Sequence, residues 1–128
     1  MFEFEHLALG AKDTSILKDW YVGVLGAELV FQMKQTPPAF LVKLGGVMIE
    51  IYNARSSSEL VRDNGLAGWR HIALKVKTID DAREYLKARG IVFKEEVKPA
   101  GGGGRVLFFQ DPEGNLLHLV ERLPEGYR

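Results

Sequence analysis

Three histidines and one glutamate stand out in this chain because their positions repeat. His6 and His71 open two similar segments, HLAL and HIAL, which lie 71 − 6 = 65 residues apart. Glu50 and His118 occupy matching positions in two later apolar segments, 118 − 50 = 68 residues apart. Neutral imidazole and carboxylate groups both bind borderline divalent ions such as Zn, Ni, Fe, Mn or Co. Three unrelated core histidines would have no reason to follow a repeat, so the pattern predicts a metal site.

Each histidine segment is followed by the pattern of a capped helix. In the first half, Asp13 or Thr14 can cap a run of apolar residues at helical spacing, and Gly26 stands where a left-handed residue ends a helix. In the second half, Thr78 precedes a similar run and Gly90 follows it. The two halves therefore predict two equivalent helices.

Strands complete both halves. The segments AELVFQ at 27–32 and IVFKEE at 91–96 predict a strand after each helix, and two further strands follow. In this alignment Phe40-Leu41 corresponds to Phe108-Phe109. The predicted fold class is α+β, with two βαβββ modules in one structural domain.

The module boundaries follow from composition. The first module covers 1–53 and the second covers 69–128, and a polar linker at 54–68 joins them. Its SSSELVRDN stretch is compatible with a short helix. No other segment of the sequence is a plausible linker.

Side chains alternate between the two faces of a strand, so the repeat also predicts which residues share a face. Aliphatic residues such as Ile49, Ile51, Leu117 and Leu119 should pack under the helices. The opposite face then carries the four candidate ligands: His6, Glu50, His71 and His118.

Composition excludes several functional classes. Seventeen basic and seventeen acidic residues cancel, so no net field favours nucleic acid or an anionic membrane. The absence of cysteine excludes disulfides, thiolate metal sites and a cysteine nucleophile. The acidic start MFEFEH and the lack of an apolar run near 20 residues argue against export and membrane insertion. We therefore expect a cytoplasmic protein that binds neither nucleic acid nor a membrane.

The chain resembles the vicinal oxygen chelate superfamily, also called the glyoxalase/bleomycin resistance/dioxygenase superfamily. The most family-like segments are WYVGVLGAELVF at 20–31, GWRHIALKV at 68–76 and the DPEGN turn at 111–115. The resemblance runs from EHLAL at 5–9 to the end of the last predicted strand. It implies that the paired modules form an open, mixed β-barrel around a metal.

The resemblance also implies the ligand positions, which fall at the first and last strands of each module: His6, Glu50, His71 and His118. Family enzymes chelate two neighbouring substrate oxygens on the metal, which acts as a Lewis acid or activates oxygen. Glyoxalase-like members usually carry a glutamate at the last position, where this chain has His118. Glu50 would then serve as ligand, base or both, and His118 is the alternative proton carrier.

Three functions follow as expectations from this resemblance. The first is a metal-dependent lyase or isomerase acting on a small α-oxygenated carbonyl compound or its thiol adduct. The second is a non-haem iron dioxygenase using a His/His/carboxylate set. The third is a non-catalytic, bleomycin-resistance-type drug-binding protein, although such members generally lack the ligands.

Further residues are candidates for substrate contact or assembly. Tyr52 and Lys75 lie on the predicted ligand face, and Arg70 and Arg105 could hold an anionic substrate group. Glu121 has the opposite parity from His118, which predicts a surface charge. We expect a homodimer because half-barrels of this size leave sheet edges to cover, with the modules pairing within a chain or between chains.

Overall fold

The computed structural model describes residues 1–124 and divides the chain into two compact units, Met1–Ser58 and Glu59–Arg128. The last four residues of the predicted second module, 125–128, lie outside the described part. The elements of the first unit are β1 (Leu7–Ala11), α1 (Thr14–Gly23), β2 (Glu28–Met33), β3 (Ala39–Leu44) and β4 (Val47–Asn53).

The second unit repeats this order after a short 3-10 helix at Glu59–Arg62, which lies in the predicted linker. Its elements are β5 (His71–Lys75), α2 (Ile79–Lys87), β6 (Lys98–Pro99), β7 (Arg105–Gln110) and β8 (Leu116–Glu121). Two βαβββ modules of an α+β fold are therefore confirmed.

Each unit contains one four-stranded mixed sheet with the same topology. The strand order is β1-β4-β3-β2 in the first unit and β5-β8-β7-β6 in the second. The first and last strands run parallel, and the other pairs are antiparallel. Two parallel strands need a crossover connection, and the helix after each first strand begins it. This topology makes the two ligand-bearing strands of each unit direct neighbours.

The helices begin and end where the sequence predicts. The carboxylate of Asp13 accepts a hydrogen bond from the Ile16 amide at 3.0 Å, and the Thr78 hydroxyl accepts one from the Asp81 amide at 3.3 Å. These bonds satisfy amides that lack a partner within the first turn. Beyond each helix, Gly26 and Gly90 take positive φ angles of 74° and 90°. Both capping predictions are confirmed.

The core of each unit lies between its helix and its sheet. Helix α1 buries Leu17 and Tyr21 and packs on β3 and β4, and α2 packs on β7 and β8. The predicted aliphatic residues are buried on the sheets: Ile49, Ile51, Leu117 and Leu119. Removing this apolar area from water supplies the main driving force for each unit, about 25 cal/mol per Å².

One predicted strand is wrong. Residues 91–97 do not form a strand, and β6 consists only of Lys98 and Pro99, paired with Val106 and Arg105. The segment contains three successive charged residues, Lys94, Glu95 and Glu96, which are unfavourable in strands. Its Phe93 instead contacts the ring of Phe109, with the centroids 5.8 Å apart. Phe93 therefore packs on the sheet although the backbone of its segment does not pair with it.

Candidate metal centre

The first predicted ligand pair comes together where β1 begins beside β4. The parallel register pairs Leu7 with Ile49 and Ala8 with Glu50, so His6 lies one step before the strand on the side of Glu50. Nε2 of His6 lies 3.7 Å from Oε1 of Glu50. Both side chains are partly exposed, at 37% and 29%. The first unit thus presents one imidazole and one carboxylate side by side.

The second pair comes together in the same place of the second unit. Strand β5 runs parallel to β8, with Ala73 opposite His118, and the ring centroids of His71 and His118 are 4.7 Å apart. Phe108, on β7, lies 4.8 Å from the His118 ring and 5.5 Å from the His71 ring. The second unit thus presents two imidazoles against an aromatic side chain.

The environment of His118 favours its neutral form. The residue is only 6% exposed, and this burial is the main cause that lowers its pKa below the ordinary value of 6.5. The positive charges of His71, Arg122 and Lys98 lower the pKa further, whereas a hydrogen bond to the Leu119 carbonyl raises it. A metal ligand must be deprotonated, so a neutral imidazole is the form that binds.

All three histidines use Nδ1 for a hydrogen bond to an oxygen. Nδ1 of His6 bonds the Glu5 carboxylate, Nδ1 of His71 bonds the Asn64 amide oxygen at 2.7 Å, and Nδ1 of His118 bonds the Leu119 carbonyl at 3.2 Å. These oxygens only accept, so each Nδ1 carries the proton. In the neutral form of each ring, the lone pair is then on Nε2, and the bond from Nδ1 is the kind of outer hydrogen bond that metal-binding histidines make.

This donor set fits a borderline divalent ion. Three imidazole Nε2 atoms and one carboxylate match the ligand preferences of Zn, Ni, Fe, Mn and Co. Each unit by itself supplies only two of the four. Within residues 1–124, no group of three or more histidine, aspartate or glutamate side chains is arranged so that it could hold a metal ion.

The predicted substrate contacts have different surroundings. Tyr52 is 41% exposed and lies across from Gly10, where an added Cβ would approach the tyrosine ring to 3.6 Å. Lys75 ends β5 and is exposed. Both side chains therefore remain accessible to a ligand within their own units.

The two arginines of the predicted set are bound elsewhere. Arg70 donates from Nε to the Trp69 carbonyl at 2.8 Å and from a terminal nitrogen to the Asp63 carbonyl at 3.1 Å. Arg105 donates to both carboxylate oxygens of Glu121 at 3.2 Å. These contacts give both side chains a role in holding the second unit together.

Glu121 is not the simple surface charge that its position predicts. Besides binding Arg105, it accepts a hydrogen bond from the Ile79 amide at 2.7 Å, at the first residue of α2. This bond is the main cause that lowers the pKa of Glu121, and Arg105 contributes as well. Strand alternation correctly placed Glu121 on the face of β8 opposite His118. It could not show that α2 begins beside Glu121.

Sequence reasoning missed Glu5, Asn64 and the role of Phe108. The register pairs Leu41 with Glu50 and Phe108 with His118, so Phe108 corresponds to Leu41 and not to Phe40. The alignment slipped because the second hairpin has one more residue, 111–115 against 44–47. The burial of Phe40 and Phe109 agrees with this correction.

The paired βαβββ modules are the fold of a known superfamily, which the sequence also matches. The sequence model of the Glyoxalase/Bleomycin resistance protein/Dioxygenase superfamily matches residues 3–119. The chain therefore belongs to this superfamily.

Three similar proteins illustrate the range of the superfamily. Biphenyl-2,3-diol 1,2-dioxygenase 2 from Rhodococcus globerulus is 29% identical over 121 residues, covering 91% of this chain and 61% of the dioxygenase. A glyoxalase family protein from Enterococcus faecalis has a TM-score of 0.77 and 28% identity, covering 93% of this chain and 97% of that one. The fosfomycin resistance protein FosX from Listeria monocytogenes, crystallised with Mn(II) and sulfate, has a TM-score of 0.71 and 22% identity, covering 98% and 94%.

The sequence identities and the coverages limit what each similar protein shows about this chain. The FosX likeness shows the fold alone. The chain spans less than two thirds of the dioxygenase, so the activity of that longer protein is not transferred by the match. Across residues 1–124, no helix has the length and apolar character needed to span a membrane.

Proposed function

We propose that this protein is a metal-dependent lyase or isomerase that acts on a small α-oxygenated carbonyl compound or its thiol adduct. The observation that carries this proposal is the state of the histidines. All three are bonded through Nδ1, which leaves Nε2 for a metal, and each lies beside or pairs with another candidate ligand. Membership of a superfamily whose relative FosX was crystallised with Mn(II) agrees with it.

Four side chains form the proposed ligand set: His6, Glu50, His71 and His118. A divalent ion bound by them would polarise a substrate carbonyl and stabilise negative charge on its oxygen. The repeat supports a common role for the two pairs, because equivalent strands present them at equivalent positions. The pairs could serve one ion within a chain or across a homodimer, which we propose as the assembly.

Glu50 is the proposed base. In an α-hydroxy carbonyl substrate, its carboxylate would remove the proton from the hydroxyl-bearing carbon and return it to the former carbonyl carbon, while the hydroxyl proton moves to the former carbonyl oxygen, so the isomerisation involves no net oxidation. Glu50 is the only carboxylate in the proposed set. His6 Nε2 lies 3.7 Å from Glu50 Oε1, so the candidate ligand atoms of the first unit are close together. His118 is the second candidate proton carrier, although its lowered pKa favours the neutral ligand role.

Tyr52 and Lys75 are the proposed substrate contacts that need no rearrangement. Arg70 and Arg105 would reach a substrate only by leaving the oxygens that they now bind. A hydroxyl and an ammonium group suit a small polar substrate with an oxyanion or phenolate-like group.

A second candidate function is oxygen activation by iron in the same set. The similarity to a biphenyl-2,3-diol dioxygenase favours this alternative, as does the presence of histidines and one carboxylate. Oxygen consumption separates the two candidates. The iron-loaded protein would consume oxygen with a vicinal diol, whereas a lyase or isomerase would not require oxygen.

The test of the first candidate is proton exchange at carbon. The metal-loaded protein should incorporate deuterium next to the carbonyl of a panel of α-hydroxy and α-oxo carbonyl compounds, with and without a thiol. Substitution Glu50→Gln should reduce exchange by about 10²-fold or more, the usual contribution of a general base. The control Glu28→Gln changes an exposed glutamate on β2 and should leave the rate unchanged. Equal rates in the wild type and E50Q would contradict the assignment of the base.

A further inference from the structure

The segment between the 3-10 helix and β5 is closed into a loop by its own polar groups. The Asp63 carboxylate accepts a hydrogen bond from the Gly65 amide at 2.9 Å. Arg70 spans the loop and donates to the Asp63 carbonyl at 3.1 Å and to the Trp69 carbonyl at 2.8 Å. The loop ends therefore lie close together immediately before His71.

This closed loop places Asn64 beside the first histidine of β5. Oδ1 of Asn64 lies 2.7 Å from Nδ1 of His71, although the two residues are seven positions apart. An amide oxygen accepts only, so the contact requires the proton on Nδ1. The hydrogen bond of one ring nitrogen determines the tautomer and thus leaves the lone pair on Nε2.

We propose that Asn64 is a positioning residue that fixes both the tautomer and the orientation of His71 as a metal ligand, and that Arg70 supports it by closing the loop. The inference rests on the proposed function, because it assigns His71 to the metal. It also gives Arg70 a structural role in place of substrate contact. Outer partners of ligating histidines typically change metal affinity by about 10- to 100-fold when they are lost.

Two substitutions at Asn64 separate hydrogen bonding from shape. Asn64→Leu keeps a similar size but removes the acceptor, and Asn64→Asp keeps an acceptor oxygen. Asn64 is exposed, so neither change disturbs a core. We expect N64L to weaken binding of Zn²⁺, titrated alone, by about 10- to 100-fold, while N64D binds within a few-fold of the wild type.

The tautomer of His71 provides a second measurement, which would not change if Asn64 only stabilised its loop. In metal-free protein, at a pH where the imidazoles are neutral, ¹⁵N NMR of the histidine side chains should show His71 protonated on Nδ1 in the wild type and in N64D. In N64L, a substantial fraction of His71 should move to the Nε2-protonated form, while His118 keeps its tautomer through the Leu119 carbonyl. The signal of His118 is therefore an internal control.

The outcomes distinguish this inference from the proposed function. A wild type that binds no divalent ion contradicts the proposed function. Zn²⁺ binding that is equal in the wild type and N64L, with an unchanged His71 tautomer, overturns the inference about Asn64 alone. A wild-type His71 protonated on Nε2 also overturns it, whatever the variants do.

Discussion

The two units share a topology but differ in the chemistry of the residues that this topology brings together. In the first unit, a partly exposed imidazole lies beside a carboxylate, and in the second, two imidazoles pack against Phe108. The parallel pairing of first and last strands places the two positions side by side whatever residues occupy them. The partly exposed carboxylate of Glu50 agrees with its proposed part in proton transfer. The burial of His118, which lowers its pKa, agrees with its proposed part as a ligand.

The outer strands differ as well. β2 is a full strand with exposed Leu29, Val30 and Phe31, whereas its counterpart β6 has two residues. The strands that carry the candidate ligands have nearly equal lengths in the two units. The two units are therefore similar in the strands near the candidate ligands and differ in the strand at the edge of the sheet.

The largest expected effect tests whether the two cores are equivalent. Leu117→Ala and its counterpart Ile49→Ala should each lower the free energy of unfolding by about 2–5 kcal/mol, because both side chains are buried under a helix. Chemical denaturation measures both. The control Val92→Ala removes an exposed side chain and should cost less than about 0.5 kcal/mol. A negligible effect in either core variant would show that the cores are not equivalent.

The second-largest expected effect tests whether the pKa of His118, in the second pair, is lowered in the folded protein. Because the pKa of His118 is lowered in the folded protein, the unfolded chain binds this proton first as the pH falls below about 6.5. The contribution of this residue to the free energy of unfolding should therefore be constant above this pH. Below it, the free energy of unfolding should decline by at most about 1.4 kcal/mol per pH unit because of this residue. Denaturant unfolding of metal-free protein at several pH values measures the decline.

The variant His118→Gln should lose this part of the pH dependence. The carboxyl group of Glu121 also has a lowered pKa, but its contribution is lost only at more acidic pH, below about 4.5. The loss of stability due to His118 therefore begins at a higher pH than the loss due to Glu121. Identical pH profiles of the wild type and H118Q between pH 4.5 and 6.5, the ordinary pKa values of the two groups, would contradict the assignment.

The smallest expected effect compares the two helix starts. Asp13→Ala should lower the free energy of unfolding by about 1 kcal/mol, the usual effect of removing an N-cap. Thr78→Ala should cost less, because Glu121 still accepts a hydrogen bond from the Ile79 amide at the start of α2. Adding Glu121→Leu, which removes the acceptor of the Ile79 amide, to T78A should bring the cost close to that of D13A. If T78A alone costs more than D13A, Glu121 does not share the capping of α2.

Strand alternation and the repeat were sufficient to predict the fold and the side-by-side placement of His6 with Glu50 and of His71 with His118. Both depend on periodic features, so Glu50, His71 and His118 could be placed on strands before any contact was known, whereas His6 lies one residue before β1. The partners of these histidines follow no period. Glu5 is simply adjacent, and Asn64 reaches His71 only because its loop closes. The ion pair of Arg105 with Glu121 is equally invisible in sequence, since it depends on where α2 starts.

The central claim is that the two pairs together bind a divalent ion. Protein purified without a histidine tag, stripped with a chelator and titrated with Zn²⁺ by calorimetry provides the most direct test. We expect one ion to bind per chain. The affinity for Zn²⁺ should fall by at least about 100-fold in both His6→Ala and His71→Ala, which is more than the loss of an outer hydrogen-bond partner causes. Absence of binding, or binding that survives either substitution unchanged, would contradict the claim.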